Sequence, residues 1–304
     1  MNQRIFTLVL ALLMAVSLAA CGGNDPTETQ APSGSDLSTE ATAVSEATEA
    51  PRAEFPETVL VDDETCTVKL TAIEEDSIWG YTLKAYLENK TNIELTFSLE
   101  DVSVNGFMCD PFWAASVTPG MKSNEDISFL SSDFEMNDIT TPTVIEFTLR
   151  VHDANDYTAD DLVKQVFTIY PLGEEAVEEF VRTPVEGEIV LFDNEYATMI
   201  VTGADPVNIW GYGLNVFLEN KTEKSLMFSA SDVSVNGFMC DPFWATEVAP
   251  GKRSNTTISW FSDDFEENGI TEVESITLPI SVSDADDWLA EDLVNESFTI
   301  DFNS

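Results

Sequence analysis

Two aromatic pairs, Phe112-Trp113 and Phe243-Trp244, end two copies of one segment, Asp-Val-Ser-Val-Asn-Gly-Phe-Met-Cys-Asp-Pro-Phe-Trp-Ala, found letter for letter at 101–114 and 232–245. Aromatic rings at an exposed loop tip stack on a sugar or enter a protein pocket, which makes these four residues the candidate binding site for a protein or glycan ligand. Turned inward, Phe107, Cys109, Phe112 and Trp113 would instead fill a core beneath a hairpin. A second recurring group is acidic: Asp153, Asn155, Asp156, Asp160 and Asp161 match Asp284, Asp286, Asp287, Glu291 and Asp292. Calcium takes six to eight oxygen ligands, so such loops are where a calcium cofactor would sit. The EF-hand spacing fails, because Tyr157 and Trp288 occupy the place of a third ligand and no loop glycine follows. Solvated acidic turns are the plainer expectation, with no cofactor at all.

Catalytic chemistry has little to work with. The single histidine, His152, is replaced by Ser283 in the second copy, so no histidine-based device exists in both. His152 falls at an outward parity of a strand, where it is expected to face solvent. Zinc-ligand clusters, a phosphate loop and a dinucleotide fingerprint are absent from the sequence. The expectation is a non-enzymatic protein; an extracytoplasmic hydrolase built on paired carboxylates is the distant alternative.

The formal charge of −43, from 56 acidic and 13 basic residues, repels phosphate backbones and argues against nucleic acid as a partner. Of four cysteines, Cys21 stands apart near the N-terminus. Cys66 and Cys109 are close enough in sequence to bridge within one copy, but Ala197 replaces Cys66 in the other, so the fold does not depend on that bond and buried thiols are expected at Cys66, Cys109 and Cys240.

These residues are positioned by an internal repeat. A shift of 131 positions lays 59–172 over 190–303 without a gap, pairing Trp79 with Trp210 and Phe167 with Phe298. A period that long marks whole domains in tandem. Within each copy the apolar residues alternate, as in Ile145, Phe147, Leu149 and Val151, or Cys66, Val68, Leu70 and Ala72, which is the strand period. Asn105-Gly106 and Asn236-Gly237 are the pairs that best tolerate the positive φ angles of a two-residue hairpin turn. Asn89-Lys-Thr and Asn220-Lys-Thr mark strand ends. The predicted fold is all-β, with two tandem β-sandwiches of immunoglobulin-like type at 56–170 and 188–304 joined by an acidic linker at 171–187, and a closed barrel as second choice.

The start of the chain has another grammar. Arg4, an apolar run from Ile5 to Val16 and the small residues that follow make 1–20 a secretory signal, too short in its apolar part to span a bilayer. Leu18-Ala19-Ala20-Cys21 resembles the bacterial lipobox, in which the cysteine carries the lipid. Residues 21–55, rich in Thr, Ser, Glu and Pro, form a tether with too few large apolar residues to fold. With the repeated Leu-Glu-Asn-Lys-Thr and Asp-Val-Ser-Val-Asn-Gly-Phe-Met-Cys-Asp pieces, the chain resembles surface lipoproteins of Gram-positive bacteria with tandem immunoglobulin-like domains. The resemblance implies lipidation of Cys21, a lipid anchor in the cell membrane, an extracytoplasmic location, and a binding, adhesion or spacer role, with calcium-dependent adhesion as one form. It implies no catalytic residues.

Overall fold

A computed structural model describes residues 55–208, 211–287 and 289–302, except for the side chains at 76, 207 and 208. The signal at 1–20, Cys21, nearly all of the tether, Trp210 and Trp288 lie outside the described residues.

Among the described residues the regular structure is mostly β-strand. In the first half β1 (Thr58–Asp62), β2 (Cys66–Ser77), β3 (Gly80–Asn89), β4 (Leu95–Val104), β5 (Phe107–Met108), β6 (Ala114–Val117) and β7 (Lys122–Phe129) lead into a short helix, α1 (Ser131–Met136), before β8 (Ile145–Asp153) and β9 (Val163–Ile169). The second half follows the same plan at the 131-residue shift. It runs β10 (Ile189–Asp193), β11 (Ala197–Asn208), β12 (Gly211–Asn220), β13 (Leu226–Ala230), β14 (Ser234–Val235), β15 (Phe238–Met239), β16 (Ala245–Val248), β17 (Arg253–Phe261), α2 (Ser262–Glu267), β18 (Ser275–Asp284) and β19 (Val294–Asp301). β13 and β14 together occupy the place of β4. Among the described residues no helix is long and apolar enough to cross a membrane.

Each half buries its own core. The alternation puts Leu83 and Leu87 of β3 and Ile127 and Phe129 of β7 into one cluster with Phe97 of β4 and Phe147, Leu149 and Val151 of β8. Leu214, Leu218, Ile258 and Trp260 meet Phe228, Leu278 and Val282 in the second. In each half an antiparallel sheet, β1-β2-β3-β7 or β10-β11-β12-β17, supplies one side of the core, and strands paired to β8 or β18 supply the other. The tight β2–β3 turn demands glycine: Gly80 has φ +98°, and a Cβ there would lie 2.2 Å from the Phe129 carbonyl oxygen.

Two expectations from parity are corrected. A bulge between Leu70 and Ala72 shifts the register of β2, so Ala72 is exposed and Ile73 packs against the core instead. His152 keeps its outward parity on β8 yet is buried, because the ring of Tyr157 folds over it edge-on at 5.3 Å and its Nδ1 lies 3.0 Å from the Asp153 carbonyl oxygen.

The halves are joined through one short parallel contact. β5 of the first half pairs with the start of β17 in the second, Phe107 opposite Arg253, and the Arg253 amide donates to the Gly106 carbonyl at 2.9 Å. The acidic linker at 171–187 is laid against this seam. Phe180 meets Phe107 edge-on at 5.1 Å, the Arg253 guanidinium stacks on Phe180 at 4.5 Å, and Arg182 stacks on Phe217 at 4.9 Å while bridging to Glu188. Lys252 pairs with Glu146 across the seam.

Candidate functional site

The repeated hairpin is held by its own residues in the same way in both halves. Asn105 and Gly106 take φ +52° and +81°, and Asn236 and Gly237 take +52° and +83°, the positive pair a two-residue turn requires. The asparagine side chain then ties the turn to the strand beyond it. Asn105 Oδ1 accepts from the amides of Thr143 (2.8 Å) and Val144 (3.2 Å), and its Nδ2 donates to the Thr141 carbonyl (2.9 Å). Asn236 repeats this with Glu274, Ser275 and Glu272. Past the turn, Cys109 and Cys240 are buried, contacted by the amides of Asn137 and Asn268 at the ends of α1 and α2.

The aromatic pairs divide. Trp113 and Trp244 are half-buried and pack against the two cores, with each indole Nε1 buried and without a hydrogen-bond partner among the described residues. Phe112 and Phe243 stand out into solvent, 86% and 94% exposed. The tie to the next strand thus accounts for Asn105 and core packing for Cys109 and Trp113, with their copies; neither accounts for two exposed phenylalanines.

Identical letters do not adopt identical shapes here. Phe112 sits at φ +48°, with its amide donating to Asp110 Oδ1 at 2.8 Å. In the second copy Asp241 Oδ1 accepts instead from the Val233 amide at 2.6 Å, and Phe243 is not among the positive-φ residues.

Beside the first hairpin a cavity of about 830 Å³ opens between the halves, lined among others by Asp101, Phe112, Asp133, Lys164 and Glu247. Its walls partly desolvate these acids, of which Asp133 is half-buried while Asp101 and Glu247 stay exposed to solvent, and this holds their carboxyls above the ordinary range; Glu100 and Asp286 add like charge around Asp101 and Glu247.

The acidic loops do not converge. Asp153 and Asp284 each accept from a backbone amide two residues on, Asp156 accepts from Thr158, and Asp287 from the Leu289 amide. Asp161 pairs with Arg150, Asp284 with Lys224, and Asp292 accepts from Asn295. Asp160 makes no described contact of this kind. Among the described residues no three His, Cys, Asp or Glu side chains come together as a metal-binding group. The thiols are free and buried, and burial pushes those of Cys66 and Cys109 up to about 12, far from a thiolate nucleophile at neutral pH.

One exposed apolar pair was not anticipated. Ile78 and Trp79 project from the β2–β3 turn into solvent. The signal lay in the repeated Ile-Trp-Gly-Tyr piece: the glycine is needed for the turn and Tyr81 is buried, but the turn gives no reason for Ile-Trp.

No protein-family model and no curated protein matches the sequence. Among solved structures the chain is similar to the YadV chaperone, at 13% identity and a TM-score of 0.20 over 72% of this chain and 91% of that one. It is also similar to red sea bream transglutaminase, at 10% identity and a TM-score of 0.21 over 74% of this chain and 29% of the enzyme. At these scores neither likeness informs the chemistry.

Proposed function

We propose that this is a non-enzymatic, lipid-anchored bacterial surface lipoprotein. Its two repeats are immunoglobulin-like β-sandwiches that present Phe112 and Phe243 to a protein or glycan ligand outside the membrane. The observation that carries the binding role is the exposure of these two rings at the same point of two identical segments. A large apolar ring held in water gains free energy when a partner covers it, and rigid aromatics lose little entropy in doing so. The sandwich reading is supported by two antiparallel layers around each core, and the anchor by the resemblance around Cys21. Buried thiols and a buried histidine fit a binding role better than a nucleophilic one.

Two experiments test this. Phe112→Ser with Phe243→Ser should abolish retention on the glycan or envelope-protein array to which the full chain binds, leaving the circular dichroism unchanged; equal retention would refute the site. Replacing Cys21 by Ala should move the chain from the membrane fraction to the soluble fraction and end incorporation of labelled fatty acid; continued labelling would refute the anchor.

A further inference from the structure

The seam between the halves has a donor and an acceptor, and each has an unused copy elsewhere in the chain. The donor is the β5 hairpin, with Phe107 only 5% exposed beneath Phe180 and Arg253, and Met108 packed against the second core. Its letter-for-letter copy, β15, leaves Phe238 and Met239 48% and 62% exposed at the end of its sheet. The acceptor is β17, whose edge is covered by β5; its copy, β7, is the last strand of its sheet and, among the described residues, pairs on one side alone. Because β3–β7 and β12–β17 share one register, the amide of Lys122 occupies on β7 the place from which the Arg253 amide donates to Gly106.

We propose that the β15 hairpin of one chain docks on the β7 edge of a second copy, repeating between chains the contact that joins the two halves within one. An unpaired edge strand is a ready template for such addition. The contacts carry over residue by residue. Asn124 stands for Asn255, whose amide donates to Asn137 Oδ1 at 3.2 Å, and Asn268 holds the pose of Asn137 through its own bonds to Asp264 and Cys240. Tyr86 stands for the aromatic Phe217 and Lys122 for Arg253. The ion pair Lys252–Glu146 becomes Met121 and Thr277, so both charges are lost together and neither is stranded. Met121 is exposed, as the apolar donor requires.

The copied seam is the weaker one. Ile200, buried in the native contact, becomes Lys69, and Phe180 and Arg182 precede the repeat and have no counterpart among the described residues. Donor and acceptor lie on different halves, so the contact is heterologous: it joins copies head to tail, into a ring where the rotation closes and an open string where it does not.

The test is disulfide trapping between full-length chains that both carry Cys21→Ser. One carries Phe238→Cys and the other Lys122→Cys, the counterparts of the Phe107–Arg253 pair; the native cysteines at 66, 109 and 240 are buried. A control pair replaces Lys122→Cys with Val166→Cys, an exposed site on β9. Under mild oxidation the Phe238–Lys122 pair is expected to cross-link about tenfold more than the control, and Met239→Asp on the donor chain to bring it down to the control level. Yields equal to the control would overturn the proposal, and so would a high yield that Met239→Asp leaves unchanged. Phe238 and Met239 are surface residues, and circular dichroism of each variant separates lost docking from lost folding.

Discussion

The hairpins at 101–114 and 232–245 share every letter and differ in what surrounds them. Their turn, their asparagine tie and their buried cysteine are the same, whereas Phe107 is covered and Phe238 is open. The shared features belong to the segment, and the differing ones belong to its neighbour. The local sequence therefore fixes the turn, the asparagine tie and the buried cysteine, while the cover over the phenylalanine after the turn and the backbone at Phe112 and Phe243 differ between the copies.

The largest expected break in this comparison comes from the phenylalanines. Phe107→Ala should cost about 3–5 kcal/mol in urea unfolding, as a buried ring lost from a seam and a core. Phe238→Ala, half exposed, should cost less than about 1 kcal/mol. Equal losses would mean that the seam does not cover Phe107 in solution.

Next come the ties. Asn105→Ala and Asn236→Ala should each cost about 1–2 kcal/mol, because each leaves backbone groups at the next strand without partners. Here the prediction is equality, measured by the same unfolding; a difference larger than about 1 kcal/mol would place part of the tie in the seam.

This contrast also marks how far the sequence could be read. Strand alternation, the Asn-Gly turns and the 131-residue repeat are local or periodic, and each has a direct counterpart among the strands. What covers Phe107 is neither. It depends on Arg253, Phe180 and the face around Phe217, and no rule confined to 101–114 separates that hairpin from its twin. His152 failed for the same reason, since parity describes a strand and Tyr157 reaches over from a loop. Ala72 failed because a bulge inserts one residue and inverts the pattern beyond it. At the candidate site, the asparagines and cysteines could be assigned to structure by spacing, but Phe112 and Trp113, adjacent in sequence, part company only when the backbone turns.

A smaller effect probes the cleft beside the seam. Partial desolvation by the cleft raises the carboxyl of Asp101, which stays exposed to solvent, above its ordinary value of 3.8, so its ionised form mildly disfavours the fold at neutral pH. The sign follows: the penalty is present above the raised folded value and is relieved as pH falls through it. Asp101→Asn should therefore stabilise the chain at pH 7 by about 0.5 kcal/mol, a figure discounted for partial exposure, and the gain should vanish near pH 4 in a Tm series. A gain that grows on acidification would contradict the desolvated site.

A second small effect concerns Phe112, whose φ of +48° is unfavourable for a bulky residue. Phe112→Gly should gain up to about 1 kcal/mol relative to Phe243→Gly, since the second copy has no such angle to relieve. No difference in Tm between the two would show that the strained turn is not populated.

The most direct test of unequal burial is the rate at which dilute peroxide oxidises Met108 and Met239 in the folded chain, read on peptides that extend into the distinct flanks at 115–117 and 246–248. The residues on either side of each methionine are identical, so intrinsic reactivity cancels and access alone remains. Oxidation of Met239 several-fold faster than Met108, with the difference erased by Arg253→Asp, is the result expected if the seam covers the first hairpin. Equal rates in the native chain would contradict it.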